Sequence, residues 1–593
     1  MSNRRDHVAR RSALWGDNIV HYAPRLRAMT GALLVMVAAS ALVAFGWASS
    51  AGAASSQVAA QPAVHSNITG CTDNWNGGNG SWTDAGDWST GSVPAGTDNA
   101  CISAPGTYTV TLEGVVTVGS VTVGGGATGI QTLVIDSNPG VGSVLEFLNN
   151  SEIQANGAID LDSGATSSTA ASTVGSYTGA TLVNDGTLDD NGYTDQFNCE
   201  VTNDADGSMT LAAATSPVGS FTFANSGSFT VSAGAELEGS GLAFTQSGGT
   251  FDNAGTAQFS GAPFNQSGGA DTGNPILIDG GETFNDSAGT GSFQMEALVT
   301  IDGTIPTGQT VTLVSSPSVG TVVDVSPALT NDGTLVMTST GSTSSDNSVQ
   351  EGVLTNNGTI DVSGTNSVDT FNGIVIDNEA SGVLDVTNSG SEFSNGTLNN
   401  EGTMEVGAGG GVVFNGSENY GVTVQSGTTA EVTGAGSVAL GESTLQVTTV
   451  GKLPKAKTLF TLVDTSGGVS GTFNTLVFPN AAYSVAYTPT TVTLTAEKPF
   501  KAKAKAVKAT AGTSATVTVA TLSKLPASGT ITASINWGDG SAASAGTVTT
   551  SGTTGTVGGT HTYASAGHYT VTTTITDSNG TDFTVTGKAT VKS

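Results

Sequence analysis

The sequence predicts an all-β protein, a long right-handed parallel β-helix followed by a C-terminal β-sandwich, and three observations carry that expectation. Gly is abundant at 82 residues while Pro is sparse at 16, and only 11% of residues are charged. With frequent Thr, Ser and Val, this is the composition of many short strands joined by tight turns. A short phrase then returns along the middle of the chain: an apolar residue, Asn, one or two small or acidic residues, Gly, Thr, and alternating apolar residues. The last stretch, finally, holds about seven alternating runs of strand length. At 593 residues the chain exceeds one ordinary core, so a repeat array or several domains is required. Disorder is the rival for so much Gly and Ser, but regular alternation and a mean hydropathy of +0.04 favour order.

Residues 1–53 have the pattern of an export signal. Arg4, Arg5, Arg10, Arg11, Arg25 and Arg27 precede an apolar run from Met29 to Ala48, and Ala51-Gly-Ala53 offers small residues for cleavage. The run is also long enough to span a bilayer, so an uncleaved single-pass anchor is the alternative. Residues 54–66, rich in Ser, Ala and Gln, read as a flexible tether.

Residues 67–106 form a Trp-rich module. Trp75, Trp82 and Trp88 fall within Asn74-Trp-Asn-Gly-Gly-Asn-Gly-Ser-Trp82 and Asp87-Trp88-Ser89, followed by Val93-Pro94 and Asp98. This pattern resembles the module that precedes β-helical passenger and adhesin-like regions of bacterial surface proteins, and the resemblance implies a secreted or surface protein. The aromatic faces could stack on sugar rings or cover the open first coil of a solenoid, and the cap is the favoured reading. Cys71 and Cys101 bracket the module, and export permits oxidation, so they are expected to pair. Cys199 is left as an odd, buried thiol. Three cysteines with no nearby His do not make a metal site.

Residues 107–441 carry the repeat array. It opens on Tyr108-Thr-Val-Thr-Leu112 and Val121-Thr-Val123, and the phrase reads Leu182-Val-Asn-Asp-Gly-Thr-Leu188, Leu329-Thr-Asn-Asp-Gly-Thr-Leu335, Leu354-Thr-Asn-Asn-Gly-Thr-Ile360 and Leu398-Asn-Asn-Glu-Gly-Thr-Met404. Aligning Asn156, Asn184, Asn203, Asn225, Asn253, Asn331, Asn356, Asn378 and Asn400 gives a period near 20 to 25 residues with one gap, the length of a β-helix coil. Gly is expected to take the left-handed turn at each corner, and Asn to bond its own backbone or the Asn of the neighbouring coil. Roughly 14 coils at about 4.8 Å each would make a rod on the order of 70 Å long. A propeller or tandem sandwiches are the rival folds, but they need longer periods or Pro and aromatic markers that are scarce here.

Residues 442–496 change texture: Phe and Tyr crowd into Leu459-Phe-Thr-Leu-Val463, Leu476-Val-Phe-Pro479 and Tyr483-Ser-Val-Ala-Tyr487. This resembles the segment that closes bacterial β-helical passengers, so it is expected to be a C-terminal cap. Residues 497–508, with five Lys in Lys498-Pro-Phe-Lys-Ala-Lys-Ala-Lys-Ala-Val-Lys508, read as a basic linker or a hinge entering a first strand. In residues 509–593, Ile535-Asn-Trp-Gly-Asp-Gly-Ser541, His561-Thr-Tyr563 and Tyr569-Thr-Val571 resemble the PKD domain. That resemblance implies an immunoglobulin-like β-sandwich that acts as a spacer or interaction module. Trp537 would fill its core, Gly538, Asp539 and Gly540 would turn the chain, and His561 and Tyr563 would lie on a facing strand.

The net charge is −31, and its distribution narrows the chemistry. All Arg lie at or before Arg27 and all Lys at or after Lys452, whereas 41 of the 48 carboxylates lie in residues 54–451. The five His are His7, His21, His65, His561 and His568. The array therefore repels nucleic acid and cannot by itself assemble a Ser-His-Asp triad, a histidine metal site or a phosphoryl-transfer site. A carboxylate-pair glycosidase survives, with Asp160/Asp162, Asp189/Asp190 or Asp204/Asp206 as candidates that no motif separates from turn residues. Calcium is the other option, since Asp160-Leu-Asp162 and Asn203-Asp-Ala-Asp-Gly207 place oxygens at alternate positions, Asp204 and Asp206 among them. The expected function is non-catalytic: adhesion, surface presentation or matrix structure outside the cell. Its expected partners are cell-surface glycans or proteins, or further copies of the chain, with membrane contact only through the N-terminal segment and no obligate cofactor.

Overall fold

The computed structural model describes 70–593 except 138–141, 163–170, 193–194, 213–215, 218–220, 316–319, 340–345, 365–368, 389, 417, 426–430, 442, 479–482, 498–499, 526–529 and 578–581. The expected export signal at 1–53, the expected tether at 54–66 and residues 67–69 lie outside the described residues. Short parallel strands stack into a β-solenoid, with about 14 turns between 107 and 441 and further coils at both ends. Two faces merge into one 32-stranded sheet because Phe264–Gly273, Glu282–Thr290, Leu298–Ile305 and Val322–Asn331 each run round a corner. The third face is a four-stranded sheet followed by a 14-stranded one.

Strand alternation explains the core. In each short strand the apolar positions point inward, and register places them one above another, as in the column Leu182, Val201, Phe223, Phe244, Phe264, Phe284 and Ile301. Ring centroids are 5.2 Å apart for Phe223 and Phe244 and 5.1 Å for Phe244 and Phe264, close to the strand spacing itself. Each such side chain contributes about 1.5–3 kcal/mol through burial, so consecutive coils hold one another although none has a core of its own.

At one corner the column is polar. Asn184 Nδ2 donates to Asn203 Oδ1 (2.7 Å), Asn203 Nδ2 to Asn225 Oδ1 (2.7 Å), and Asn225 Nδ2 to Gln246 Oε1 (2.8 Å). A second run joins Asn331, Asn356, Asn378 and Asn400 through three 2.8 Å bonds with the same polarity. Most amides also donate to a main-chain oxygen further on, such as Asn356 to Val383 O (3.1 Å). These side chains are fully buried, so the ladder satisfies groups that no water reaches. The Asn side-chain ladder expected between coils thus includes seven of the nine aligned residues. Asn156 and Asn253 also bond a neighbouring coil, but at the main-chain oxygens Gly126 O (2.9 Å) and Asn274 O (3.1 Å), and register puts Asn253 in the column of Val231 and Gly273.

The expected left-handed turn is found at Gly303 of Ile301-Asp-Gly-Thr-Ile305 (φ 102°) but not at the other phrase glycines. Gly186, Gly207, Gly227, Gly333, Gly358, Gly382 and Gly402 all have ordinary rather than left-handed φ. What they lack is room: a Cβ on Gly382 would stand 2.3 Å from both Asn356 O and Asn378 Oδ1, and one on Gly207 2.1 Å from Asn184 O. Gly is required because the main chain of one coil rests on the corner below it.

Both ends of the stack are covered. At the start, Asp73–Asn74 pairs with Asn99–Ile102 and Gly80–Ser81 with Tyr108–Leu112, so the Trp-rich module is itself the first coil. Cys71 and Cys101 are disulfide-bonded, and Cys199 is free and buried, its thiol pushed up to about 12 by burial. At the far end the parallel pattern stops: Thr491–Ala496 lies antiparallel to both Leu459–Thr465 and Tyr483–Tyr487. Phe460, Phe478 and Tyr483 pack together there.

Lys501–Lys592 builds a separate eight-stranded sheet around its own core of Trp537, Tyr563, Ile535, Val571 and Ala589. Its pairings are antiparallel except that Val507–Thr510 runs parallel to Asp582–Lys592. The Lys-rich stretch does not stand apart as a linker: Lys501–Ala504 pairs with Ala515–Ser523. Its Lys-Ala alternation has the period of a strand, which turns Lys to water and tucks Ala halfway in.

Candidate functional site

The sequence's aromatic candidates are interior. Trp75, Trp82 and Trp88 are 0–2% exposed, with Trp88 edge-on to both others at centroid distances of 5.1 and 4.9 Å. Trp75 Nε1 donates to Gly78 O (2.9 Å) and Trp88 Nε1 to Trp82 O (2.8 Å). None offers a face to a sugar ring, so these side chains cover the first coil.

The C-terminal motif is a packed unit. The His561 ring lies parallel to Trp537 at 4.7 Å, and its Nε2 is 2.7 Å from Asp539 Oδ2. Tyr563 Oη donates to Trp537 O (3.2 Å), and Trp537 Nε1 to Ser544 Oγ (2.9 Å). Burial acts to raise the Asp539 carboxyl, but hydrogen bonds from Ser541 and His561 outweigh it and hold the group at about 2. Gly538 (φ 77°) and Gly540 (φ 86°) do make left-handed turns here, and a Cβ on Gly538 would strike Thr570 O.

The carboxylate pairs fare differently. Asp189 faces outward and Asp190 inward, where Asp190 accepts from Gly192 N (3.2 Å), so strand alternation separates them. Asp204 is buried at a turn and Asp206 exposed. Asp160 and Asp162 share the outward face, and register brings Asp160 opposite Asp189 of the next coil and Asp162 opposite Asp136. Burial raises Asp160 and Asp189, with the charges of Asp162 and Asp189 adding to the rise at Asp160. No group of three or more His, Cys, Asp or Glu placed to hold a metal occurs among the described residues.

Stacking also creates acidic groupings that sequence spacing does not show. Asp361, Asp385 and Glu405 pair register-to-register on successive coils, forming an outward column in which burial and then Asp385 raise the Asp361 carboxyl. On another face, Asp377, Glu379, Asn399, Glu401 and Gln446 line an open groove of about 420 Å³. Asn399 Nδ2 donates to Asp377 Oδ1 (2.7 Å), and burial, Glu401 and Asp377 together raise Glu379. Partners in these groups lie about 20 residues apart, and only the register of the coils reveals them.

Two interior acids also went unnoticed. Burial drives Asp271 up to about 7, and drives Asp286 up to about 8 with the Asp271 charge contributing. For Asp286 the signal is a tandem phrase, Phe244-Thr-Gln246-Ser-Gly, Phe264-Asn-Gln266-Ser-Gly and Phe284-Asn-Asp286-Ser-Ala, whose last two copies fall in the gap of the Asn alignment, whereas Asp271 lies outside it. No protein-family model matches the chain, and no curated protein matches its sequence.

Proposed function

We propose that the chain is a non-catalytic exported protein of the cell surface or extracellular matrix, acting in adhesion, presentation or envelope structure. The observation that carries this reading is the outward column of Asp361, Asp385 and Glu405. Like charges about 4.8 Å apart repel, and no Lys, Arg or His occurs between 66 and 451 to neutralise them. A scaffold braced by buried columns can hold such a ridge rigid, and a rigid ridge suits repeated contact with cationic groups of a cell-surface polymer, a protein or another copy. The covered ends of the solenoid support a free-standing rod rather than one that polymerises end to end. The C-terminal sheet is read as a PKD-like, immunoglobulin-like sandwich on the packing of Trp537, His561 and Tyr563 and the turns at Gly538 and Gly540. Residues 1–53 serve as the export signal or anchor.

The groove of Asp377, Glu379 and Glu401 favours a second reading, a glycosidase working with two carboxylates. Incubating the purified chain with a panel of polysaccharides separates the two. The scaffold reading expects no new reducing ends, whereas release that Glu379→Gln or Glu401→Gln abolishes would replace it with the glycosidase.

A further inference from the structure

Two other buried carboxylates among the described residues are met by several donors each. Asp73 accepts from Ser89 Oγ (3.0 Å), Thr90 N (3.1 Å) and Thr90 Oγ1 (2.8 Å). Asp369 accepts from Asn347 N (3.1 Å), Asn347 Nδ2 (3.0 Å) and Asn388 Nδ2 (2.8 Å). Asp271 and Asp286, on consecutive coils, depart from this. They are 8% and 2% exposed, and neither Asp271 oxygen nor Asp286 Oδ1 has a hydrogen-bond partner.

Their neighbours add acceptors. Gln266 Nε2 donates to Gly268 O (3.0 Å) and Gln309 Nε2 to Asp286 Oδ2, and each glutamine also holds a buried Oε1 that no donor meets. Five buried oxygens of these four side chains thus lack a close hydrogen bond, and the Gln266 amide beside Asp271 and the Ser287 N–H beside Asp286 only partly offset the burial of the two carboxyls. Register explains the placement. Asp271 occupies the inward position held by Phe251 one coil earlier, and Asp286 occupies the ladder position held by Gln266. Above Asp271 stands Gly291, where a Cβ would come within 2.7 Å of the Asp271 Cβ, so the lack of a side chain keeps the space open.

Two carboxylates among apolar rings are strongly unfavourable unless their charge is cancelled. No basic side chain lies between 66 and 451 to do so. The cancelling charge must come from solution, and the donor set selects its kind: carboxylate and amide oxygens alone, with two formal negative charges, suit a hard divalent ion with flexible coordination. Asp271 also lines an open groove of about 370 Å³, with Thr272, Asn274, Thr290 and Ser292 on its other walls.

We propose that Asp271, Asp286, Gln266 and Gln309 form a calcium-binding site in the wall of the solenoid, loaded through this groove and bracing the corner where the first Asn ladder ends. It is distinct from the turn acids Asp204 and Asp206.

The test uses the full chain, stripped with chelator and titrated with calcium chloride, read by calorimetry and by hydrogen exchange of amides 264–310. One calcium is expected per chain, with an apparent Kd at or below about 1 mM. Exchange through the opened state should slow about 100-fold at calcium a hundred times Kd. Asp271→Asn and Asp286→Asn should each abolish uptake, and Asp206→Asn should leave it intact. Should either variant fail to fold, the wild-type exchange with and without calcium decides alone. Absence of calcium uptake at millimolar concentration would overturn the proposal. So would protection of 264–310 that rises on acidification and ignores calcium, which would identify a shared proton as the neutralising species.

Discussion

Replacing Asn356 by Ala removes the centre of the second ladder. Asn356 accepts from Asn331 Nδ2 (2.8 Å) and donates to Asn378 Oδ1 (2.8 Å) and Val383 O (3.1 Å), all in the dry wall of the solenoid. Alanine at this position strips a partner from Asn331 Nδ2 and from Asn378 Oδ1, and no water can replace it. An orphaned buried polar group costs about 1–3 kcal/mol, so the two together should weaken the local structure by about 2–6 kcal/mol. A long solenoid need not unfold as one unit, so a global melting point would blur the effect. Hydrogen exchange of the amides in Val353–Asn356 and Val375–Asn378 is the suitable assay, and the low end of that range speeds exchange about thirtyfold. The control is Asn399→Ala two coils further on, where an exposed amide bonds Asp377 Oδ1 (2.7 Å) and the expected change is under about threefold. If Asn356→Ala accelerated exchange no more than Asn399→Ala, the ladder would be a bystander and the argument from buried partners would fail.

The glycine reading makes a parallel prediction. Gly382→Ala should destabilise by more than about 2 kcal/mol, because its Cβ meets main-chain and ladder oxygens at 2.3 Å, whereas Gly248→Ala, whose nearest neighbour would be 3.6 Å away, should change denaturation little. Two acids should respond to pH in opposite senses. Glu418, raised to about 7 chiefly by burial, is held neutral in the fold, so its contribution is complete below about pH 4 and is lost as pH rises through about 7; Glu418→Gln should flatten that loss in the exchange of nearby amides. Asp539, held at about 2, contributes above about pH 4 and loses that contribution as pH falls toward 2, so Asp539→Asn should remove the acid sensitivity of the C-terminal sheet.

How much could be read from sequence depended on the range of the interaction. Strand alternation and the Asn-x-Gly-Thr period act within one coil, and they pointed to the solenoid, the aromatic covers and the column of Asn184, Asn203 and Asn225. The partner of a side chain one coil away depends on register, which spacings that range from 19 to 28 residues, with one gap of 78, leave open. Asn253 therefore fell in a different column from Asn225, and Asp160 faced Asp189 rather than working with Asp162 alone. Apart from Gly303, the phrase glycines were placed correctly for the wrong reason, since a tight approach between coils and a left-handed turn both select Gly. Gln266 and Asp286 escaped because the ladder position passes from Asn to Gln to Asp, a change that keeps shape and burial but breaks the letter of the phrase.

The central claim is that the solenoid works through its acidic outer face by binding. Co-sedimentation of the purified chain with intact cells and with isolated wall glycans, across a salt series, tests it most directly when the wild type is compared with an Asp361→Asn, Asp385→Asn, Glu405→Gln variant. The account predicts that the wild type sediments at low salt, that the bound fraction falls as salt rises, and that the variant loses most of its binding while its fold is unchanged. Equal sedimentation of the two proteins at every salt concentration, or none by either, would contradict it.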